Sequence, residues 1–205
     1  MKKFFLMMSI FALASFAFAR NKGLSLDIGA HYENHSLHYF DDGKMNDFNV
    51  HSNHNKHMGG FNLGLDFMVA ENWSIFLDTS FSFNGVFVND SAIGFGYNFN
   101  IGKGFNLFIG GGFGFGGSQF KWSVGNVETK QEFFNVGVNL KLIASYMFTN
   151  KVGIFFGITD TYYIPAMGKQ KIKFGSNEKE FSIKRNNLPN YVQSIQPKLG
   201  IRLAF

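Results

Sequence analysis

The sequence predicts an all-β protein: an eight-stranded antiparallel transmembrane β-barrel with short turns at one end and longer loops at the other. Three observations carry this. Apolar and polar residues alternate in eight segments of roughly the 9–11 residues that a tilted spanning strand needs. The connections between segments alternate in length. Beyond the first twenty residues no apolar run is long enough for a spanning helix, so only a closed ring of strands could satisfy the backbone in lipid. A soluble β-sandwich would explain the alternation, but not these features together with an export signal.

The export signal comes first. Lys2 and Lys3 precede an apolar run from Phe4 to Phe18, and Ala17-Phe18-Ala19 has the small-x-small pattern of a cleavage site. Residues 1–19 therefore read as a cleaved secretory signal peptide and residues 20–205 as one barrel domain. The chain has no Cys, so an exported domain has no disulfide framework. The net charge of +5, or +3 once Lys2 and Lys3 are removed, is too mild to argue for nucleic acid.

Each segment is justified by its alternation. Residues 23–33 put Leu24, Leu26, Ile28 and Ala30 on one face, and 60–69 put Phe61, Leu63, Leu65 and Phe67 there. Segment 73–83 carries Trp73, Ile75, Leu77, Phe81 and Phe83; segment 92–101 carries Ile93, Phe95, Tyr97, Phe99 and Ile101. Segment 105–116 carries Phe105, Leu107, Ile109, Phe113 and Phe115; segment 134–148 carries Val136, Val138, Leu140, Leu142, Tyr146 and Phe148. Segment 152–161 carries Val152, Ile154, Phe156 and Ile158. The short connections are 70–72, 102–104 and 149–151; the others are 35–59, 84–91, 117–133 and 162–191. Two of the long ones contain hairpin signals: Gly125-Asn126 between alternating arms, and Gly175-Ser176-Asn177 between 169–174 and 181–184. Their arms are too charged to face lipid and read as extensions projecting from the barrel.

The eighth segment runs from Val192 to Phe205, with Leu199, Ile201, Leu203 and Phe205 on the lipid face and Lys198, Gly200, Arg202 and Ala204 opposite. It is expected to close against the first segment. This Phe-terminated strand and the loop asymmetry resemble the small eight-stranded bacterial outer-membrane β-barrel proteins, similar to the OmpA transmembrane domain, OmpX and OmpW. The Phe-rich composition and long first loop also look like small spirochaete outer-membrane proteins. The resemblance implies a bacterial outer-membrane location, periplasmic short turns and extracellular loops. It also implies outer-membrane lipid as surroundings, and a barrel-assembly machinery that reads Leu199, Ile201, Leu203 and Phe205. A monomer is expected. OmpX-like proteins imply protruding β-arms, which the two hairpins match. OmpW-like proteins imply a narrow porin-like path for small hydrophobic solutes, from which the inward charges here depart.

Those charges are Asp27, Asp66, Asp78, Lys141, Lys198 and Arg202, a balanced set in a lumen that eight strands make just wide enough for side chains. A hydrogen-bonded cluster would plug the barrel. Below it, Met68, Phe76, Phe108, Ile143, Met147 and Phe155 are expected to form an apolar floor. Above it, Ser82, Asn84, Gly94, Gly96, Gly112, Gly114, Gly116, Thr159, Thr161, Ser194 and Gln196 suggest a shallow vestibule open to the outside. Gly112–Gly117 matches G-x-G-x-x-G by letter, but no helix follows, so a nucleotide site is not indicated.

All six histidines lie between residues 31 and 57. His35, His38, His51, His54 and His57, with Asp41, Asp42 and Asp47, are candidate ligands for a divalent metal in the first extracellular loop; no other cofactor is expected. The last loop is basic through Lys169, Lys171, Lys173, Lys179, Lys184 and Arg185, and suits an acidic host or surface ligand. Some small outer-membrane barrels are enzymes using His with Ser, Asp or Glu near the rim; His31, Glu33, Ser36, Asp41, His51 and Ser52 are available, but nothing in their spacing fixes a base beside a nucleophile. The expectation is a non-enzymatic barrel presenting loops for adhesion or interaction. The alternative is a narrow uptake barrel for small hydrophobic solutes or metal ions.

Overall fold

In this computed structural model the described residues are 23–40, 45–46, 49–50, 53–175 and 177–205. Residues 1–19, expected to be a signal peptide, and His51, Asp41, Asp42, Asp47 and Ser176 lie outside them. In chain order the strands are β1 (Leu24–His38), β2 (Met45–Asn46), β3 (Asn49–Val50), β4 (His54–Met68), β5 (Trp73–Phe83) and β6 (Phe87–Gly102). Then come β7 (Phe105–Val124), β8 (Val127–Met147), β9 (Val152–Phe174), β10 (Asn177–Ser182) and β11 (Tyr191–Ala204). The eight long strands form a ring in the order β1-β4-β5-β6-β7-β8-β9-β11, closed where β11 pairs antiparallel with β1. β2 and β3 pair only with each other, and β10 adds to β9 outside the ring. The fold is an all-β, eight-stranded antiparallel barrel.

Alternation decides which face meets lipid. Phe113 is 73% exposed and Phe156 64%, while their strand neighbours Gly114, Phe155 and Gly157 face inward. Exposed apolar side chains of this number on a closed ring form a membrane-facing band. Aromatic girdles mark its limits. At the short-turn end Trp73 meets Tyr97 edge-on at 5.3 Å, and Tyr146 meets Phe148 at 5.4 Å. Toward the other end Tyr162 stacks on Tyr191 at 4.9 Å, and Tyr32 on β1 stacks on His57. The terminal strand is in place: Leu199 and Ile201 point outward, and the Phe205 N–H donates to the Leu24 carbonyl at 2.9 Å.

The wall strands are longer than the alternation indicated. β1 runs on to His38 and β4 starts at His54, so the first connection is shorter than residues 35–59. The expected loop 84–91 shrinks to residues 84–86, because Phe87–Ser91 continues β6. β7, β8 and β9 have 20, 21 and 23 residues, about twice what spanning requires. Their surplus, joined by β10, projects past the rim as a four-stranded arm in the order β7-β8-β9-β10. Its turns sit at Gly125 (φ 57°) and Gly175 (φ 58°), left-handed backbone that glycine adopts without a Cβ penalty.

Proline interrupts the ladder twice. Pro165 sits at a bulge where Asn135 pairs with it and Phe134 pairs with Met167, leaving one extra β9 residue. Pro197 has no N–H, and the β1–β11 register stops at His31↔Lys198 and resumes at Asn34↔Ile195.

Candidate functional site

The lumen is the candidate site, and it is filled. Asp27, Asp66, Asp78, Lys141, Lys198 and Arg202 are all buried. They form a chain of alternating sign. Arg202 grips Asp27 with two parallel bonds (Nε–Oδ1 2.7 Å, Nη2–Oδ2 2.6 Å) and donates to Asp66 Oδ2 at 2.7 Å. Lys141 donates to Asp66 Oδ1 and to Asp78 Oδ1, each at 3.0 Å. Lys198 ends the chain, 3.9 Å from Asp78 Oδ2. Paired, charge-assisted geometry of this kind is what makes buried charges tolerable.

The apolar floor is corrected. Phe76, Phe108, Ile143 and Phe155 do cluster, with Ala92, but beside the charges and not below them. The Lys141 ammonium lies 4.9 Å from the Phe76 ring centre and 5.1 Å from that of Phe108. Strands tilt in a closed barrel, so equal counts from the turns do not mean equal height. Met68 and Met147 leave the cluster and line a cavity of about 550 Å³ at the short-turn end, with Asp66, Ser74, Asn98 and Arg202.

The open outer vestibule is corrected too. Leu37, Tyr39, Phe120, Phe133, Tyr163, Ile183 and Val192 pack into a buried apolar cap across that end, with Leu188 against it. Leu37 and Phe120 sit on strand extensions; Ile183 and Leu188 fold back from the connection after β10. Burying such side chains from water is favourable by about 1.5–3 kcal/mol each, which holds the connection down on the mouth.

Between charge chain and cap lies a second polar layer that the sequence reading did not assemble. Glu33 Oε1 accepts from His35 Nδ1 at 2.8 Å and from Ser194 Oγ at 2.9 Å; the Ser82 hydroxyl donates to Glu33 Oε2. Asp90 Oδ2 accepts from Ser194 Oγ at 2.8 Å and Gln196 Nε2 at 2.9 Å. His31 Nε2 lies 2.6 Å from Ser82 Oγ. Sequence signals existed: the β1 alternation already turns Glu33 inward at the end of its expected segment, and continuing the β1 and β6 alternation past the expected ends turns His35 and Asp90 inward too.

The histidine set is divided by the same parity. His35 is fully buried in the lumen beside Phe120 (5.7 Å between rings), and His54 is 6.2 Å from that ring. His38 stacks on Tyr191 at 4.4 Å, and His57 is hydrogen-bonded to the Tyr32 hydroxyl at 2.6 Å on the outer face. These four sit on strands and not in one loop, and they do not share a site. The remaining candidate, His51, lies outside the described residues.

Of the basic loop, Lys169 and Lys171 converge on Glu180 at 2.9 and 3.2 Å, and Lys173 pairs in register with Glu178. The two lysines hold the Glu180 carboxyl below its ordinary value of 4.5, and Glu180 raises Lys171 above 10.5. A lowered acid stabilises the hairpin above its ordinary pKa and loses that as pH falls through the depressed value; a raised lysine acts conversely at alkaline pH. Protection of the 177–182 amides, measured relative to the unstructured exchange rate at each pH, is therefore expected to be highest between about pH 4.5 and 10.5 and to fall below that window; protection unchanged down to pH 3, roughly a unit below an ordinary carboxyl, would refute the pairing.

A profile of the family described as "Domain of unknown function (DUF2715)" matches residues 31–188. Neisserial surface protein A (NspA) superposes with a TM-score of 0.54 at 12% identity, over 90% of this chain and 98% of that one. A major outer membrane protein from Thermus thermophilus gives 0.54 at 11%, over 87% and 99%. The outer membrane protein OprG from Pseudomonas aeruginosa gives 0.50 at 12%, over 90% and 97%. At these identities the likeness is one of fold, that of the small outer-membrane β-barrels. No curated protein sequence matches the chain.

Proposed function

This chain belongs to the DUF2715 family, and we propose that it is a non-conducting, non-enzymatic outer-membrane barrel whose extracellular β-arm serves adhesion or interaction. The observation that carries this is the contrast between lumen and arm. The lumen is occupied by an ion-pair chain and capped by apolar side chains, whereas the arm extends strands about twice the spanning length into the exterior. Protein placed beyond the membrane has to act there. The arm surface mixes bases with acids that pair them, so a partner meets a patterned polar face with exposed Phe174 and Phe181 at its tip and edge.

The nearest catalytic arrangement is Ser82 with His31 and Glu33. It lacks the carboxylate that would orient His31: the Ser82 hydroxyl donates its hydrogen bond to Glu33, and His31 Nδ1 has no partner among the described residues. The group is also buried beneath the cap. Export through residues 1–19 and assembly through the Leu199–Phe205 strand complete the reading, with the short turns in the periplasm.

Two measurements test it together. Purified protein in planar bilayers is expected to show no discrete conductance steps. Replacing residues 121–130 and 169–182, each by a two-residue turn, is expected to leave a heat-modifiable barrel while abolishing adhesion of cells that display the protein. Steady single-channel conductance would favour uptake instead, and adhesion retained without the arm would remove the proposed role.

A further inference from the structure

We propose that Glu33, His35 and Asp90 form a site inside the barrel for one divalent transition ion of the zinc or manganese class, taken up as the barrel closes. One ligand atom from each of the three lies within 4.8 Å of the others, and all three residues are buried. One imidazole with two carboxylates is a borderline-hard donor set, suited to Zn²⁺ or Mn²⁺ over a soft ion such as Cu⁺.

Charge and hydrogen bonding point the same way independently. The lower chain balances three acids against three bases. The upper layer does not balance: among the described residues Glu33 pairs only with histidines, and Asp90 has no lysine or arginine within ion-pair distance. Two carboxylates buried together without a cation are costly. Ser194 sharpens this. Its hydroxyl is within hydrogen-bond distance of both Glu33 Oε1 and Asp90 Oδ2, yet it has one proton to donate. His35 Nε2 is buried without a partner among the described residues, and the Asp90 carboxylate has the Tyr163 hydroxyl beside it. A divalent ion would neutralise both carboxylates and engage an imidazole nitrogen that the protein leaves unused.

The surroundings suit such an ion. Ser82, Ser194 and Gln196 hydrogen-bond the carboxylates and fix them in place, as supporting partners do around metal ligands. Phe120 and the cap close the layer from outside, and the ion-pair chain closes it from the short-turn end. Glu33 and His35 come from β1, Asp90 from β6 and Ser194 from β11, so the donors meet only in the closed ring. An ion is therefore trapped at closure. It is a resident of the wall and not cargo, so the proposal is independent of what the arm binds.

The test refolds the protein into detergent micelles with Zn²⁺, Mn²⁺ or Co²⁺ present, removes free metal with EDTA, and measures metal per heat-modifiable barrel. Wild type should retain one ion, and Co²⁺ should give the visible bands of nitrogen–oxygen ligation. Metal added after closure should enter at least tenfold more slowly. Folded His35→Gln and Asp90→Asn should retain less than a tenth as much, Ser194→Ala should bind roughly 10–100-fold more weakly, and His38→Gln with His57→Gln should match wild type. Folded wild type without metal would overturn the proposal, leaving protonated His31 and His35 to balance the layer. Retention in folded His35→Gln and Asp90→Asn, or loss in the His38→Gln/His57→Gln protein, would overturn it equally. If the ligand variants do not fold, the wild-type stoichiometry and Co²⁺ spectrum decide alone.

Discussion

Replacing Arg202 by methionine should destabilise the barrel by ~3–5 kcal/mol, seen as a lower urea midpoint for loss of heat-modifiable migration. Methionine keeps most of the volume and removes the charge. Among the described residues Asp27 pairs with no base except Arg202, so the substitution strands a buried carboxylate, while Asp66 keeps Lys141. The penalty lies in the orphan and not in the lost pair. Arg202→Met combined with Asp27→Leu should therefore recover most of the stability. A double variant as unstable as the single one would show that the pair itself, and not the stranded acid, carries the effect.

Phe108→Ala should cost a similar ~3–5 kcal/mol. Phe108 is fully buried, meets Phe76 edge-on at 5.9 Å, and supports the Lys141 ammonium. The ring fits only because the wall beside it is bare: a Cβ on Gly96 would run into it. Gly96→Ala alone should then cost ~1–3 kcal/mol by overpacking; in the Phe108→Ala background the clash with the ring is gone, the contact with the Ile109 carbonyl at 2.8 Å remains, and the cost should be clearly smaller but not zero. The double-mutant cycle isolates that coupling. Additive losses would mean that Gly96 is needed for backbone reasons unrelated to the ring.

The lipid-facing half of the molecule was the most legible in sequence. Period-two alternation sorts Leu199 and Ile201 from Lys198 and Arg202 without reference to anything distant, and Gly125 and Gly175 announce their turns locally. The inward charges followed from the same parity. Where the reading fell short, the missing information was non-local. Composition does not mark where β1 ends, so Glu33 looked like the last residue of a strand, His35 like the start of a loop, and Asp90 like the end of one. Heights across the lumen depend on strand tilt, which put Phe76 level with Lys141 instead of beneath it. The cap needed Ile183 to return from a distant connection, and nothing in the residues around Ile183 names Tyr163 or Phe120 as its neighbours.

The bidentate Arg202–Asp27 contact joins residues 175 positions apart, between the last strand and the first. Until those strands meet, Asp27 has no base, and the free edges of β1 and β11 have no ladder. Inside a bilayer neither can be left waiting for water. A sheet short of one pairing is therefore a high-energy species and not a resting point. Folding into the membrane should be all-or-none, with its barrier at the seam between the first and last strands and slow by the general cost of bringing remote segments together. The same step guards against unfolding: the ring has to open at one of its seams before any strand can leave.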